Sequence, residues 1–210
     1  MKKLKITSIL TALIITVSMS FLSACSSDDD ANARNFNVNQ PLTETDKDAL
    51  LFMLEEEKLA RDTYIYLNNE WSLSQFNNIK DSEQMHMDAV ENLLTQYNVA
   101  YTILPLGEFQ DNMLQDLYDQ FIIDGTISQA NALQIGATIE DLDIVDLEDY
   151  INATSNTNLI RVFEKLQCGS RNHLRSFVSA IENAGDTYTP QYLSQEDYNS
   201  ILVGSHEQCN

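Results

Sequence analysis

The sequence predicts an all-α fold: a four-helix bundle with a long crossover between helices 2 and 3 that carries an extra short helix, and a short C-terminal helix. Three observations carry this expectation. Four long stretches repeat apolar residues at alternating steps of three and four, the spacing that lays one stripe along one face of a helix. No convincing alternation of apolar and polar residues marks a strand. Short polar connections join helix 1 to 2 and helix 3 to 4, so each pair runs antiparallel, whereas about thirty residues separate the pairs.

Residues 1–24 stand apart from this fold. Lys2, Lys3 and Lys5 precede an apolar run from Ile9 to Leu22, too short and too one-sidedly flanked for a comfortable membrane span, which is the pattern of a secretory signal. The run closes in Leu22-Ser23-Ala24-Cys25, which resembles the lipobox of bacterial lipoproteins. The resemblance implies cleavage before Cys25, lipidation of that cysteine and attachment to a membrane through the anchor, in the cell envelope outside the cytoplasm. A plain secretory signal with an incidental Cys25 is the alternative. Residues 25–42 hold almost nothing to bury and are expected to be a disordered tether. Asp28-Asp29-Asp30 resembles the acidic tags of some surface-displayed lipoproteins, so the periplasmic face and the cell surface both stay open.

Removing the three signal lysines moves the formal net charge from −20 to −23. Such a charge argues against nucleic acid or anionic lipid as a partner, and suits either a solubilising surface or the collection of cations. Apart from Cys25 only Cys168 and Cys209 remain. In an oxidising compartment an even pair is most simply a disulfide, here tying the tail, residues 205–210, to the body; two free thiols are the alternative.

The domain itself is expected over residues 43–204. The first helix opens at Thr43, which has capping-box spacing to Asp46, and runs to about Asn68 with the seam Leu50, Met53, Glu57, Ala60, Tyr64, Leu67. Ser74 reads as the N-cap of the second, whose seam is Ile79, Glu83, His86, Val90, Leu93, Tyr97. Pro105 and Gly107 break the crossover, and Phe109, Met113, Leu117 and Phe121 mark its short amphipathic helix. The third long helix, capped near Thr126 or Ser128, carries Ala130, Leu133, Ala137, Glu140, Ile144, Leu147, Ile151. The fourth, stopped by Gly185, carries Phe163, Leu166, Ser170, His173, Phe177, Ala180, and Ser194 can cap a final helix to about Val203.

Each long helix therefore breaks its apolar seam near the middle: Glu57; Glu83 and His86; Glu140; Ser170 and His173. Glutamate three residues before histidine puts both on one helix face. Buried carboxylates with no cation between them repel one another or must take up protons, and divalent ions neutralise them. One such break is an ordinary satisfied core polar group; four at matching depth point to a shared site.

With these residues in view, the chain from about Thr43 to Val203 resembles the ferritin-like superfamily, in which a Glu, a Glu-x-x-His, a second Glu and a second Glu-x-x-His hold two metal ions. Glu55-Glu56-Glu57-Lys58-Leu59-Ala60-Arg61-Asp62, Ile139-Glu140-Asp141-Leu142-Asp143-Ile144 and Gly169-Ser170-Arg171-Asn172-His173-Leu174 are similar to an uncharacterised bacterial branch of it, a domain of unknown function. Glu57 with Ala60, Arg61 and Tyr64 is similar to the first-helix ligand region of rubrerythrin-like proteins, which sets the first carboxylate at Glu57 and not at Glu55 or Glu56.

What the resemblance implies is a site of two divalent metal ions, iron first with manganese or zinc as alternatives, held by Glu57, Glu83, His86, Glu140 and His173. The fourth helix departs from the pattern, because Ser170 stands where the last Glu-x-x-His has its glutamate. Asp143, one turn after Glu140, is expected either to replace the missing ligand or to hold a ligand histidine, with an exposed helix acid as the alternative. Tyr64 either lines the site or is a core tyrosine with a bonded hydroxyl. The implied activity is oxygen- or peroxide-dependent oxidation of ferroxidase or peroxidase type; the competing class is a non-enzymatic, lipid-anchored binding or scaffold module with a polar core network or one structural metal.

Overall fold

A computed structural model of the chain describes residues 40–209, so the signal, Cys25 and most of the tether lie outside the described residues. Among them it is all-helical, with no strand: α1 Glu44–Trp71, α2 Ser74–Gln96, α3 Asn112–Gly125, α4 Gln129–Ala153, α5 Thr157–Asn183 and α6 Gln195–Val203. The helices form a bundle in which α1 packs along α2 and α4 along α5, contacts of α1 with α4 and of α2 with α5 close it, and α3 lies on α1 and α4. None of the described helices is long and apolar enough to cross a membrane.

Local chemistry sets the helix ends. At α1 the Thr43 hydroxyl accepts from the Asp46 amide and the Asp46 carboxylate accepts from the Thr43 amide, a complete capping box. The side chains of Ser128, Asn156, Ser194 and Asp111 accept from first-turn amides and so cap α4, α5, α6 and α3, without the reciprocal half of a box. Ser74 is not a cap: it is the first residue of α2, Leu73 holds the cap position without a side-chain bond, and the Ser74 hydroxyl turns to Gln75. The turn between α1 and α2 is only two residues long, with Ser72 left-handed at φ 53°, so the cap position falls on Leu73, whose backbone is extended as at other N-caps but whose side chain has no acceptor.

Two further expectations are corrected. The buried face of α3 is Leu114, Tyr118, Phe121 and Gly125, while Met113 is exposed; the Asp111 cap starts the helix late and so sets a different phase. The seam of α4 begins at Leu133, because Ala130 is exposed in the first turn. The last residues of the tether are also docked: Gln40 donates to the Ser155 carbonyl and accepts from the Thr157 amide, and Leu42 packs on the core.

Charged residues of α1 fasten the crossover. Glu55 accepts from the amides of Gln110 and Asp111. Buried Lys58 donates to Asp62 and to the carbonyls of Pro105 and Glu108, lying over the Phe109 ring, and Asp62 accepts from the Gly107 amide. At the other end Asp141 collects the amides of Gln191, Tyr192 and Leu193 and the Tyr188 hydroxyl. A disulfide joins Cys168 of α5 to Cys209, and Arg171 and Arg175 pair with Glu207 beside it.

The apolar core comes in two clusters. One gathers Leu59, Tyr64, Phe76, Ile79, Phe121 and Phe177; the other gathers Met53, Met87, Leu93, Leu147, Phe163 and Leu166. Between them, along α1, α2, α4 and α5, runs a layer of buried polar side chains.

Candidate metal centre

Four helices deliver that layer. Glu57 comes from α1, Glu83 and His86 from α2, Glu140 from α4 and His173 from α5. Residues three apart share a helix face, so Glu83 and His86 reach the same point together. The structure brings all five to one place: His86 Nδ1 lies 2.8 Å from Glu83 Oε2 and 3.2 Å from Glu57 Oε2, and His173 Nδ1 lies 2.8 Å from Glu83 Oε1 and 3.4 Å from Glu140 Oε2. The two imidazoles stack with centroids 5.5 Å apart.

Glu83 is the hinge of the arrangement, one oxygen toward each histidine. Two donor sets follow, Glu57–Glu83–His86 and Glu83–Glu140–His173, each with its donor atoms within 4.8 Å of one another. Two ligands of one transition ion, each bonded at about 2.0–2.2 Å, stand about 3 Å apart, and the observed separations match. Glu83 Oε1 and His173 Nδ1, although close, are not aligned for a hydrogen bond, and both lack a hydrogen-bond partner, as does Glu57 Oε1. Lone pairs that converge without meeting a proton fit an ion between them.

Burial works against every charge here. It pushes Glu57 up to about 7 against the pull of His86, and Glu140 up to about 6, with the Glu83 charge adding to the rise. Glu83 resists burial because the two imidazoles hold its carboxyl well below the usual range. The same carboxylates overcome burial at the histidines, raising His173 to about 10 and His86 well above its ordinary value.

Three neighbours set the ligands in place. The Tyr64 hydroxyl donates to Glu140 Oε1 at 2.5 Å and its ring sits in the apolar core, so it both lines the site and packs. Ser82 Oγ lies 3.0 Å from His173 Nε2, and a proton on Nε2 shared with it leaves Nδ1 free to face the carboxylates. Gly169 lets His86 approach α5: a β-carbon there would lie 2.6 Å from His86 Nε2. Sequence reasoning passed over Ser82 and Gly169; the signal for the glycine was its place one turn before His173, and Ser82 had no signal beyond adjacency to Glu83.

Asp143 is buried but belongs to neither donor set and bonds neither histidine; it accepts from the Ser170 hydroxyl. Its burial sets aside the reading of Asp143 as an exposed helix acid, and its other oxygen, Oδ1, has no hydrogen-bond partner. On the other face a cavity of about 440 Å³ reaches His86 and His173 between Ser82, Gly169 and the exposed His206.

Residues 46–205 match the family described as an uncharacterized protein domain, DUF2202. The uncharacterized protein MJ0754 of Methanocaldococcus jannaschii is 48% identical over 170 residues, which is 80% of this chain and 92% of the relative. A crystal structure of the hypothetical protein MJ0754 from Methanococcus jannaschii is similar at a TM-score of 0.79 and 48% identity, covering 80% of this chain and 97% of that one.

Proposed function

The chain belongs to the DUF2202 family, and from its two donor sets we propose that it is a ferritin-like dimetal-carboxylate protein binding two divalent ions, iron first. The observation that carries the reading is the double use of Glu83, 2.8 Å from one histidine on either side. Glu57 with His86, and Glu140 with His173, would close the two half-sites, and mixed oxygen and nitrogen donors suit iron or manganese while admitting zinc. Bound iron would supply oxidation at the expense of oxygen or peroxide.

The chain's own residues do the rest. Tyr64 holds Glu140 in one orientation through its hydroxyl, and Ser82 does so for His173. Apolar clusters above and below keep water away, which strengthens each electrostatic contact inside. The cavity beside His86 and His173 offers a small substrate a way in. With Ser170 where the resemblance sets a fourth-helix glutamate, each half-site is left with two carboxylates, one of them the shared Glu83, and one histidine. The run ending at Cys25 supports a lipid-anchored protein of the cell envelope.

A second reading draws on the same contacts. Protonated His86 and His173 pair with Glu83 unaided, as in a non-enzymatic module whose polar layer shares protons. Metal analysis of the purified chain separates the two. Two transition ions per chain are expected, with both lost in Glu83→Ala and one or both in His86→Ala. A metal-free protein that keeps its melting temperature in chelator would sink the dimetal reading. Labelled palmitate should enter the wild type and not Cys25→Ala; equal labelling of the two excludes the anchor.

A further inference from the structure

The C-terminal tail packs no large apolar side chain. From Gly204 to Cys209 it runs without helix, and its side chains are exposed or half-buried. The helix before it stays in place without the tail's help, because Tyr198 and Ile201 of α6 sit in the core and Arg175 donates to the Ile201 carbonyl. Yet α5 gives one face to the tail, with Cys168, Arg171 or Asn172, and Arg175 following at three to four residues. Arg171 and Arg175 pair with Glu207, Asn172 donates to the Glu207 carbonyl and accepts from its amide, and Cys168 closes the disulfide to Cys209.

What the tail covers is the cavity of about 440 Å³ that reaches His86 and His173, since His206, Glu207, Gln208 and Cys209 all line it. It is a strap along that opening. Glu207, with two guanidiniums and Asn172 on it, already fixes the strap, so a covalent tie two residues further on adds little to its placement. The disulfide adds instead a tie that answers to thiols. Cys209 lines the cavity and is half-buried, whereas Cys168 is buried in α5 at 7% exposure, so an incoming thiolate meets Cys209 first.

We propose that Cys168–Cys209 is a thiol-exchange site for a dithiol reductant, and that its reduction frees the end of the strap and widens the way to His86 and His173. One thiolate of the reductant attacks the sulfur of Cys209 and Cys168 leaves as a thiolate; the second thiol of the reductant then breaks the mixed disulfide. Two electrons and two protons end on Cys168 and Cys209, and the reductant leaves as its own disulfide. Gln208 and Cys209 then swing off the cavity, while Glu207 stays paired and keeps them near enough to close again on oxidation. The site goes beyond the dimetal reading and does not rest on it, since it needs the cavity and not the ions.

The metal-free full chain tests this. It is treated with dithiothreitol in native buffer, alkylated with iodoacetamide and exposed to diethyl pyrocarbonate, and the modification of each residue is followed by mass spectrometry. Both cysteines should alkylate without denaturant, and His86 and His173 should then react several-fold faster than in the disulfide form. His206, the one other histidine and exposed, is the internal reference and should keep its rate. Cys209→Ser should show the fast rates without reductant and gain nothing from it, with the amide protection of α1 to α5 unchanged. Cysteines that alkylate only in denaturant, or equal rates at His86 and His173 in the two forms, overturn the proposal and leave the disulfide a staple of the tail. Faster histidines that come with lost amide protection overturn it too, because unfolding and not release of the strap would have exposed them. No ion is present in any arm, so failure of the dimetal reading leaves each outcome as it is.

Discussion

Gly169 shows how much of the centre depends on one missing methyl group. On a free helix, Gly→Ala stabilises by about 1 kcal/mol because glycine loses more backbone freedom on folding. Here the added carbon would lie 2.6 Å from His86 Nε2, and the ring cannot retreat without leaving Glu57 and Glu83. Overpacking should reverse the sign: Gly169→Ala is expected to lose about 1–3 kcal/mol of stability by chemical denaturation and to weaken metal retention. A gain in stability would show that His86 is free to move. The five residues that meet in the layer were legible as breaks in apolar seams, because a charge placed where a helix should bury leucine is conspicuous. Glu56 was not legible. It lies off the seam within a run of three glutamates, and only its burial with both oxygens unpartnered sets it apart from Glu55, which holds the crossover.

At the scale of the helices, the polar layer makes stability depend on pH in a direction that can be stated. Glu57 and Glu140 have folded values, about 7 and about 6, above the ordinary carboxylate value of 4.5, so the stability they lend at low pH is lost as pH rises through those values. His173, raised from 6.5 to about 10, lends stability that is complete below 6.5 and lost as pH rises toward 10. Glu83 acts oppositely, its depressed value costing stability only on strong acidification. The metal-free protein should therefore melt at falling temperature from about pH 5 to pH 10, and Glu83→Gln, which removes the charge that raises both histidines, should flatten the alkaline part. A profile that rises over this range would contradict the coupling. Helix identity and order were legible, since capping residues and seams agree at nearly every helix. The phase of α3 and the start of α2 were not: the first depends on where Asp111 bonds, the second on a two-residue reversal that puts the cap position on Leu73, which has no acceptor.

The whole molecule is fastened at its edges by charged residues that serve packing, with Lys58 and Asp62 holding the crossover and Asp141 and Glu207 the C-terminal segments. This accounts for buried acids and a buried lysine in a chain of net charge −20 without giving them chemistry. It also leaves two apolar clusters with carboxylates and imidazoles between them. Such a layer is a poor conductor of cooperativity: without a counter-ion each half gains little from the order of the other, and the two can open as separate units. Two ions sharing Glu83 would between them grip all four long helices at mid-height and weld the clusters into one. Amide hydrogen exchange should then show two protection classes in the metal-free chain, one around Tyr64 and Phe177 and one around Met53 and Phe163, merging into a single slower class when metal is bound. One class in both states would mean that the helices alone carry the coupling.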